Sequence, residues 1–166
     1  MKKLSIDEIY KLAIEYAKEK NYKMAIKYYR KVINEGKLEA FYGLGCIYYE
    51  KRRWKDAIKY FREAIMIGNV KAKYKLGCLY QDRKRYYDAI KLYTEAMKEN
   101  HMEAFDRLIK IYKEGIGNIT KNLKKVNLLY QQIIKSKDIE ISAEGMYRFG
   151  RYLADNKKWK EAKKTI

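Results

Sequence analysis

Reactive chemistry in this chain would have to begin at His101, the single histidine in 166 residues, or at the two cysteines, Cys46 and Cys78. A nucleophile needs a base within hydrogen-bond reach and a third group to orient that base. No Ser/His/Asp or Cys/His set can be assembled around His101, which falls between two apolar periodic segments and is expected to face solvent. Glu103 and Asp106 stand beside Arg107 and Lys110, the arrangement of a solvated helix face and not of an acid/base pair. Neither cysteine belongs to a CxxC pair and no partner histidine accompanies them, so no metal or cofactor is expected. Gly115-Ile116-Gly117-Asn118 could be read as a phosphate-cradling loop. A lone GxG with no strand before it and no GK[ST] after it lacks the parts that such a loop needs. The expectation is a protein that is not an enzyme.

What the residues do instead is recur. Leu44, Gly45, Tyr48, Ala57 and Phe61 have counterparts 32 positions earlier in Leu12, Ala13, Tyr16, Ala25 and Tyr29, and 32 positions later in Leu76, Gly77, Tyr80, Ala89 and Tyr93. A fixed period of this size marks a solenoid, whose units bury their apolar faces by stacking on neighbours. One domain is expected over residues 1–166, with units at about 5–36, 37–68, 69–101, 102–138 and an incomplete 142–166. In the first unit Ser5 and Glu8 have capping-box spacing, and Ile9, Leu12, Ala13 and Tyr16 form one helical stripe. A turn at Glu19 to Tyr22 leads to a second stripe of Ala25, Ile26, Tyr29, Val32 and Ile33, which Gly36 terminates.

The later units copy that plan. Gly45 and Gly77, with Ala57, Ala64, Ala89 and Ala96, are expected to let paired helices approach closely, while Tyr22, Trp54 and Tyr86 cover the turns. In the fourth unit the turn between Tyr112 and Val126 has grown by five residues. A connection over Ser136 to Ser142 then leads to Tyr147, Phe149, Gly150, Leu153, Trp159 and Ala162 of the fifth. That unit stops at Ile166, mid-helix by alignment, which points to a fragment of a longer array or else to a face around Phe149, Ala162 and Ile166 covered by another chain. Cys46 and Cys78 occupy one equivalent site in adjacent units. Packed helices lie roughly 8 to 10 Å apart, beyond the about 7 Å limit for bridged Cα atoms, so the pair is expected to pack and not to bridge.

The spacing Phe41-x2-Leu44-Gly45-x2-Tyr48, then Ala57-x3-Phe61, resembles the tetratricopeptide pattern W-x2-L-G-x2-Y followed by A-x3-F. Ile67-Gly68-Asn69-x2-Ala72 and the Glu114-Gly115-Ile116-Gly117 turn are similar to the related Sel1-like repeats. Departures are the 32-residue period in place of 34 and the absence of proline. The resemblance implies an all-α fold, a right-handed α-solenoid of about four and a half stacked helix-turn-helix repeats. It also implies that first helices line a concave groove for a peptide or protein segment. Carried onto this sequence, one groove row reads Tyr10, Tyr42, Tyr74, Asp106 and Tyr147. The next reads Ile14, Cys46, Cys78, Lys110 and Arg151, and a deeper one Ala17, Tyr49, Gln81, Lys113 and Ala154. The expected partner-binding residues are Tyr10, Tyr42, Tyr49, Tyr74 and Tyr147, with Arg107, Lys110 and Arg151 as charged anchors. Tyr10, Ile14, Cys46 and Cys78 stand where a carboxylate clamp of the chaperone-binding kind would need Lys and Asn, so no such clamp is expected.

The net charge of +18 would suit an anionic partner. Lys, Ile, Tyr and Asn are also abundant together, as in proteins of AT-rich genomes, which explains the lysines without a function. The excess has an address, however. Windows 19–23, 50–56, 82–88, 121–125 and 155–160, all expected to be turns within helix pairs, hold 15 Lys and Arg against 6 Asp and Glu. Lys51, Arg52, Arg53, Lys55, Arg83, Lys84 and Arg85 would head such a stripe, and binding of nucleic acid or an acidic surface there is the alternative to groove binding. Self-association through an open C-terminal face is a second alternative. No apolar run approaches the 18 or so residues of a membrane span, and Asp7, Glu8, Lys11 and Glu15 interrupt any signal-like segment behind Met1, so a cytoplasmic location is expected.

Overall fold

The computed structural model describes residues 4–162, with side chains to residue 157. Nine helices and no sheet are found among the described residues: α1 (Ile6–Lys18), α2 (Tyr22–Asn34), α3 (Ala40–Glu50), α4 (Trp54–Met66), α5 (Val70–Asp82), α6 (Tyr86–Lys98), α7 (Met102–Glu114), α8 (Leu123–Ile134) and α9 (Ile139–Ala162). They form two compact units, Met1–Ala96 and Met97–Ile166.

In the first unit α1 packs on α2, α3 on α4, and each pair on the next through α2 with α3 and α4 with α5. First helices also touch first helices, α1 with α3 and α3 with α5. The caps explain where helices start. Ser5 and Glu8 close the expected capping box, and Asn21, Asn69 and Asn122 accept from the backbone N–H three residues on. Arg53, at the N-cap of α4, makes no such bond, and its guanidinium instead holds Asp56 at 2.7 Å.

Close approach depends on missing side chains. A Cβ at Gly45 would lie 2.5 Å from the Phe61 ring and one at Gly77 2.6 Å from Tyr93, so the expected role of both glycines within their pairs is met. Gly43 makes the same approach across a seam, where a Cβ would lie 2.4 Å from the Tyr29 ring. Tyr29, Phe61 and Tyr93 are all buried, as are Ala25, Ala57 and Ala89 one turn before them.

Turns alternate in type. Between pairs the left-handed position falls to Gly36, Gly68 and Asn100, with φ of 92, 83 and 66°. Within pairs it falls to Lys20, Arg52 and Lys84, with φ of 60, 55 and 59°. A side chain in that region costs on the order of 1 kcal/mol.

The second unit keeps pairing of α7 with α8 and α8 with α9. The enlarged turn is a tight hairpin: Ile116 and Ile119 exchange both backbone hydrogen bonds at 3.1 and 3.0 Å, and Asn122 N–H donates to Tyr112. Two expectations are corrected here. The connection before the fifth unit is Lys135 to Asp138, because the Asp138 carboxylate accepts from Ile141 N–H and α9 begins at Ile139. The 155–160 window is not a turn. Helix α9 runs unbroken through it, with no glycine or asparagine in the left-handed region to stop it.

Candidate functional site

Tyr10, Tyr42 and Tyr74 stand at one equivalent position on the adjoining first helices α1, α3 and α5, and each is half-buried. Each leans on the ring 19 residues ahead, in the second helix of its own pair. Ring centroids are 6.0 Å apart for Tyr10 and Tyr29, 6.3 Å for Tyr42 and Phe61, and 5.8 Å for Tyr74 and Tyr93, all tilted. One side of each ring is therefore given to the fold, and each ring stays partly accessible.

Burial favours the neutral phenol at Tyr10, Tyr29 and Tyr42. Burial raises the Tyr10 hydroxyl above its ordinary value, pushes Tyr29 up to about 12 and lifts Tyr42 further. The Tyr42 hydroxyl bonds the Cys46 thiol, with Cys78 and Tyr74 close enough to add to the shift. Burial likewise pushes the Cys46 thiol up, and both cysteines are free. A thiol held protonated is a packing group and not a nucleophile. Lys37 lies 5.1 Å from the Tyr10 ring centroid and pairs with Asp7, so the rim beside Tyr10 is already occupied by charge.

Tyr49 is turned toward the neighbouring pair. Its hydroxyl donates to Asp82 and its ring meets Trp54 edge-on at 5.7 Å. Tyr22 makes the matching bond to Glu50 one repeat earlier. These tyrosine-to-acid links across the seams are not visible in the sequence, because their spacing, 28 and 33 residues, matches neither a helical nor a strand period. Gln81, expected to line the groove, accepts from the Tyr93 hydroxyl at 2.9 Å.

In the second unit Arg107 and Lys110 are exposed on α7, while Tyr147 and Arg151 are exposed on α9. The Arg151 guanidinium lies 5.9 Å from the Tyr147 ring centroid. A cavity of about 260 Å³ opens between α7, α8 and α9, lined by Ile109, Lys113, Tyr130, Arg151 and Asp155 among others. Arg148, overlooked in the sequence, holds it together by pairing with Asp106 of α7 and Glu144 of its own helix. The Glu144 to Arg148 spacing of four residues was the available signal. Phe149, expected on an open face, stacks on Tyr130 at 5.0 Å, whereas Ile166 and the side chain of Ala162 lie outside the described residues. The side chain of His101 is only 11% exposed, against the solvent-facing expectation, with Nδ1 3.2 Å from Glu103.

The basic residues divide into two kinds. Lys51, Arg52, Arg53, Lys55, Arg83, Lys84 and Arg85 are all exposed. Arg53 and Arg85, however, each hold the aspartate three residues on at 2.7 Å and lie 4.9 and 4.5 Å from the Tyr48 and Tyr80 ring centroids. They lock the turns. Lys125 repeats the ring contact over Tyr112 in the second unit. In the 115–118 loop the N–H groups of Gly115 and Ile116 donate to the Ile111 and Ile119 carbonyls.

Tetratricopeptide-repeat models match residues 9–34, 38–68 and 74–100. No protein of curated function matches the chain significantly. Among solved structures, a protective antigen present in uropathogenic Escherichia coli strains and displaying an SLR fold is similar over 89% of this chain, with a TM-score of 0.63 and 18% identity. The chain spans 34% of that protein's length. Repeats of this kind are generally protein-interaction scaffolds and typically non-enzymatic. With three consecutive units matched and the same fold over most of its length, the chain is a tetratricopeptide/Sel1-like repeat protein, an all-α helical-repeat solenoid.

Proposed function

We propose that this chain is a non-catalytic adaptor that holds a peptide or protein segment against the face made by its first helices. The observation that carries the reading is the triplet Tyr10, Tyr42 and Tyr74, whose rings recur once per repeat, each braced from behind by a second-helix ring and half-exposed in front. A braced ring loses little freedom when a partner arrives, so more of the contact energy is kept. Each ring offers rigid aromatic area, the kind of surface favoured at interfaces. Tyr49 contributes its ring face more than its hydroxyl, which Asp82 already takes. In the second unit Arg107, Lys110 and Arg151 with Tyr147 supply charged and aromatic anchors. The chain works inside the cell on this reading, and no helix among the described residues is long and apolar enough to cross a membrane.

Affinity capture from cell extract with the wild-type chain and a Tyr42→Ala/Tyr74→Ala variant tests the proposal. Interface tyrosines at hot spots are worth about 2 kcal/mol or more each, so the double variant should lose its protein partner by more than tenfold while its helical circular dichroism is retained. Tyr42→Phe/Tyr74→Phe should keep most of the binding. Capture of the same partners by the folded alanine variant would overturn the assignment.

A further inference from the structure

We infer that the intra-pair turns of the first unit form a docking edge for single-stranded nucleic acid, carried by the row Lys20, Arg52 and Lys84. The turns are neighbours in space: Tyr22 of the first turn donates to Glu50 and lies 6.0 Å from Lys51 of the second, and Tyr49 beside the second donates to Asp82 of the third. The three cations therefore follow one another at the separation of packed helices, on the order of 10 Å.

Two independent observations mark this row as a site for anions. The first is the charge left over. Asp56 and Asp88 are paired with Arg53 and Arg85, while Glu50 and Asp82 keep their charge and are tethered by the hydroxyls of Tyr22 and Tyr49, so the windows 19–23, 50–56 and 82–88 hold nine Lys and Arg against five Asp and Glu. Lys20, Arg52, Lys55, Arg83 and Lys84 are exposed and have no anionic partner among the described residues. The second is backbone conformation. Lys20, Arg52 and Lys84 all adopt the left-handed region, which glycine enters without strain and which Gly36 and Gly68 fill at the alternate turns of the same unit. Three times over, a long cation stands where the backbone asks for glycine. Turn geometry does not call for it, whereas charge at that place does.

The edge favours a strand over a membrane surface. Leu38, Met66 and Ile67 lie at the opposite, inter-pair edge, so among the described residues the cationic edge carries no exposed aliphatic side chain to insert into lipid. What it does expose is Tyr87, 66% accessible at the start of α6 and equivalent in position to Lys23 and Lys55. Unpaired bases stack on an exposed ring while cations follow the backbone.

The test is fluorescence-anisotropy titration of the full 166-residue chain with labelled oligo-U and oligo-dT about 16 nucleotides long. Duplex of the same length and phosphatidylserine vesicles are run alongside. With about six phosphates engaged, log K should fall against log salt with a slope near −4, and Lys20→Gly/Arg52→Gly/Lys84→Gly should bring the slope to about −2 and weaken low-salt binding at least about tenfold. Because glycine suits those φ angles, the triple variant should melt no lower than wild type, which separates lost charge from lost fold. Tyr87→Ala should weaken binding about fivefold or more. Undiminished binding by the folded triple variant, or binding to vesicles or duplex with none to single strands, would overturn the inference. Groove binding is tested separately by the Tyr42/Tyr74 variant, whose tyrosines are not part of this edge.

Discussion

A methyl group added at Gly45 or Gly77 would meet the ring of a second-helix residue, Phe61 or Tyr93, that is 0% exposed and has nowhere to retreat. Gly45→Ala and Gly77→Ala should each destabilise the chain by about 1–3 kcal/mol in urea titrations. Gly150 on α9 has no atom within 4 Å of the same added carbon, so Gly150→Ala should instead stabilise by about 0.5–1 kcal/mol through helix propensity alone. The same chemical change with opposite sign isolates packing as the cause. A second residue-scale effect follows from Tyr29, whose hydroxyl burial pushes from an ordinary 10 up to about 12. The folded chain keeps this phenol neutral where the unfolded chain would ionise it. Stability from Tyr29 is thus complete below pH 10 and is lost as pH rises from 10 to about 12, a decline of about 2–3 kcal/mol. Urea midpoints across that range should fall, and Tyr29→Phe should make the fall shallower without abolishing it, because Tyr42, raised from the same ordinary value, loses its share from the same pH onward.

At the scale of the element, a turn without glycine or proline has to be held by something else, and Arg85 shows how. Its guanidinium is fixed between the Tyr80 ring at 4.5 Å and the Asp88 carboxylate at 2.7 Å. Both groups of the ion pair are about half-exposed. Arg85→Ala should therefore cost only about 1 kcal/mol, and a double-mutant cycle with Asp88→Asn should return a coupling of about 0.5 kcal/mol that shrinks in high salt. The helices from α1 to α6 were legible in the sequence because a 32-residue period aligns their stripes, small residues and ring positions three times over. The turns between them were legible only through that period. Lys20, Arg52 and Lys84 give no local signal of a left-handed backbone, since nothing in a lysine or arginine announces it. Where the period weakened, extrapolation failed. Projecting the earlier pairs onto residues 155–160 required a turn, yet Asp155-Asn156-Lys157 continues α9, with Asn156 bonding back to the Tyr152 carbonyl as a helix-interior side chain does. The candidate site was legible to the same degree: equivalent positions named the proposed tyrosines, but not how rings brace them or which acids Tyr22 and Tyr49 reach across the seams.

For the molecule as a whole, a net charge of +18 means that folding gathers like charges. Raising sodium chloride from about 0.05 M to about 0.5 M shortens the screening length severalfold, so the melting temperature should climb by a few degrees and then level off. A flat response would show that the paired acids already balance the field. Composition and charge could be read from the sequence outright, whereas the division at Ala96 could not, since α6 carries the same stripe as α2 and α4 through that point. Similarity between units also hides a difference between them. Tyr29 nests against Gly43, and the counterparts of Gly43 are Lys11 and Lys75, neither of which leaves that space. The modules are consequently not interchangeable tiles. Transposing the second and third would present a lysine to Tyr29 and jam the joint, so the chain specifies the order of its modules as well as their number, and a shuffled array of identical length and composition should not close up.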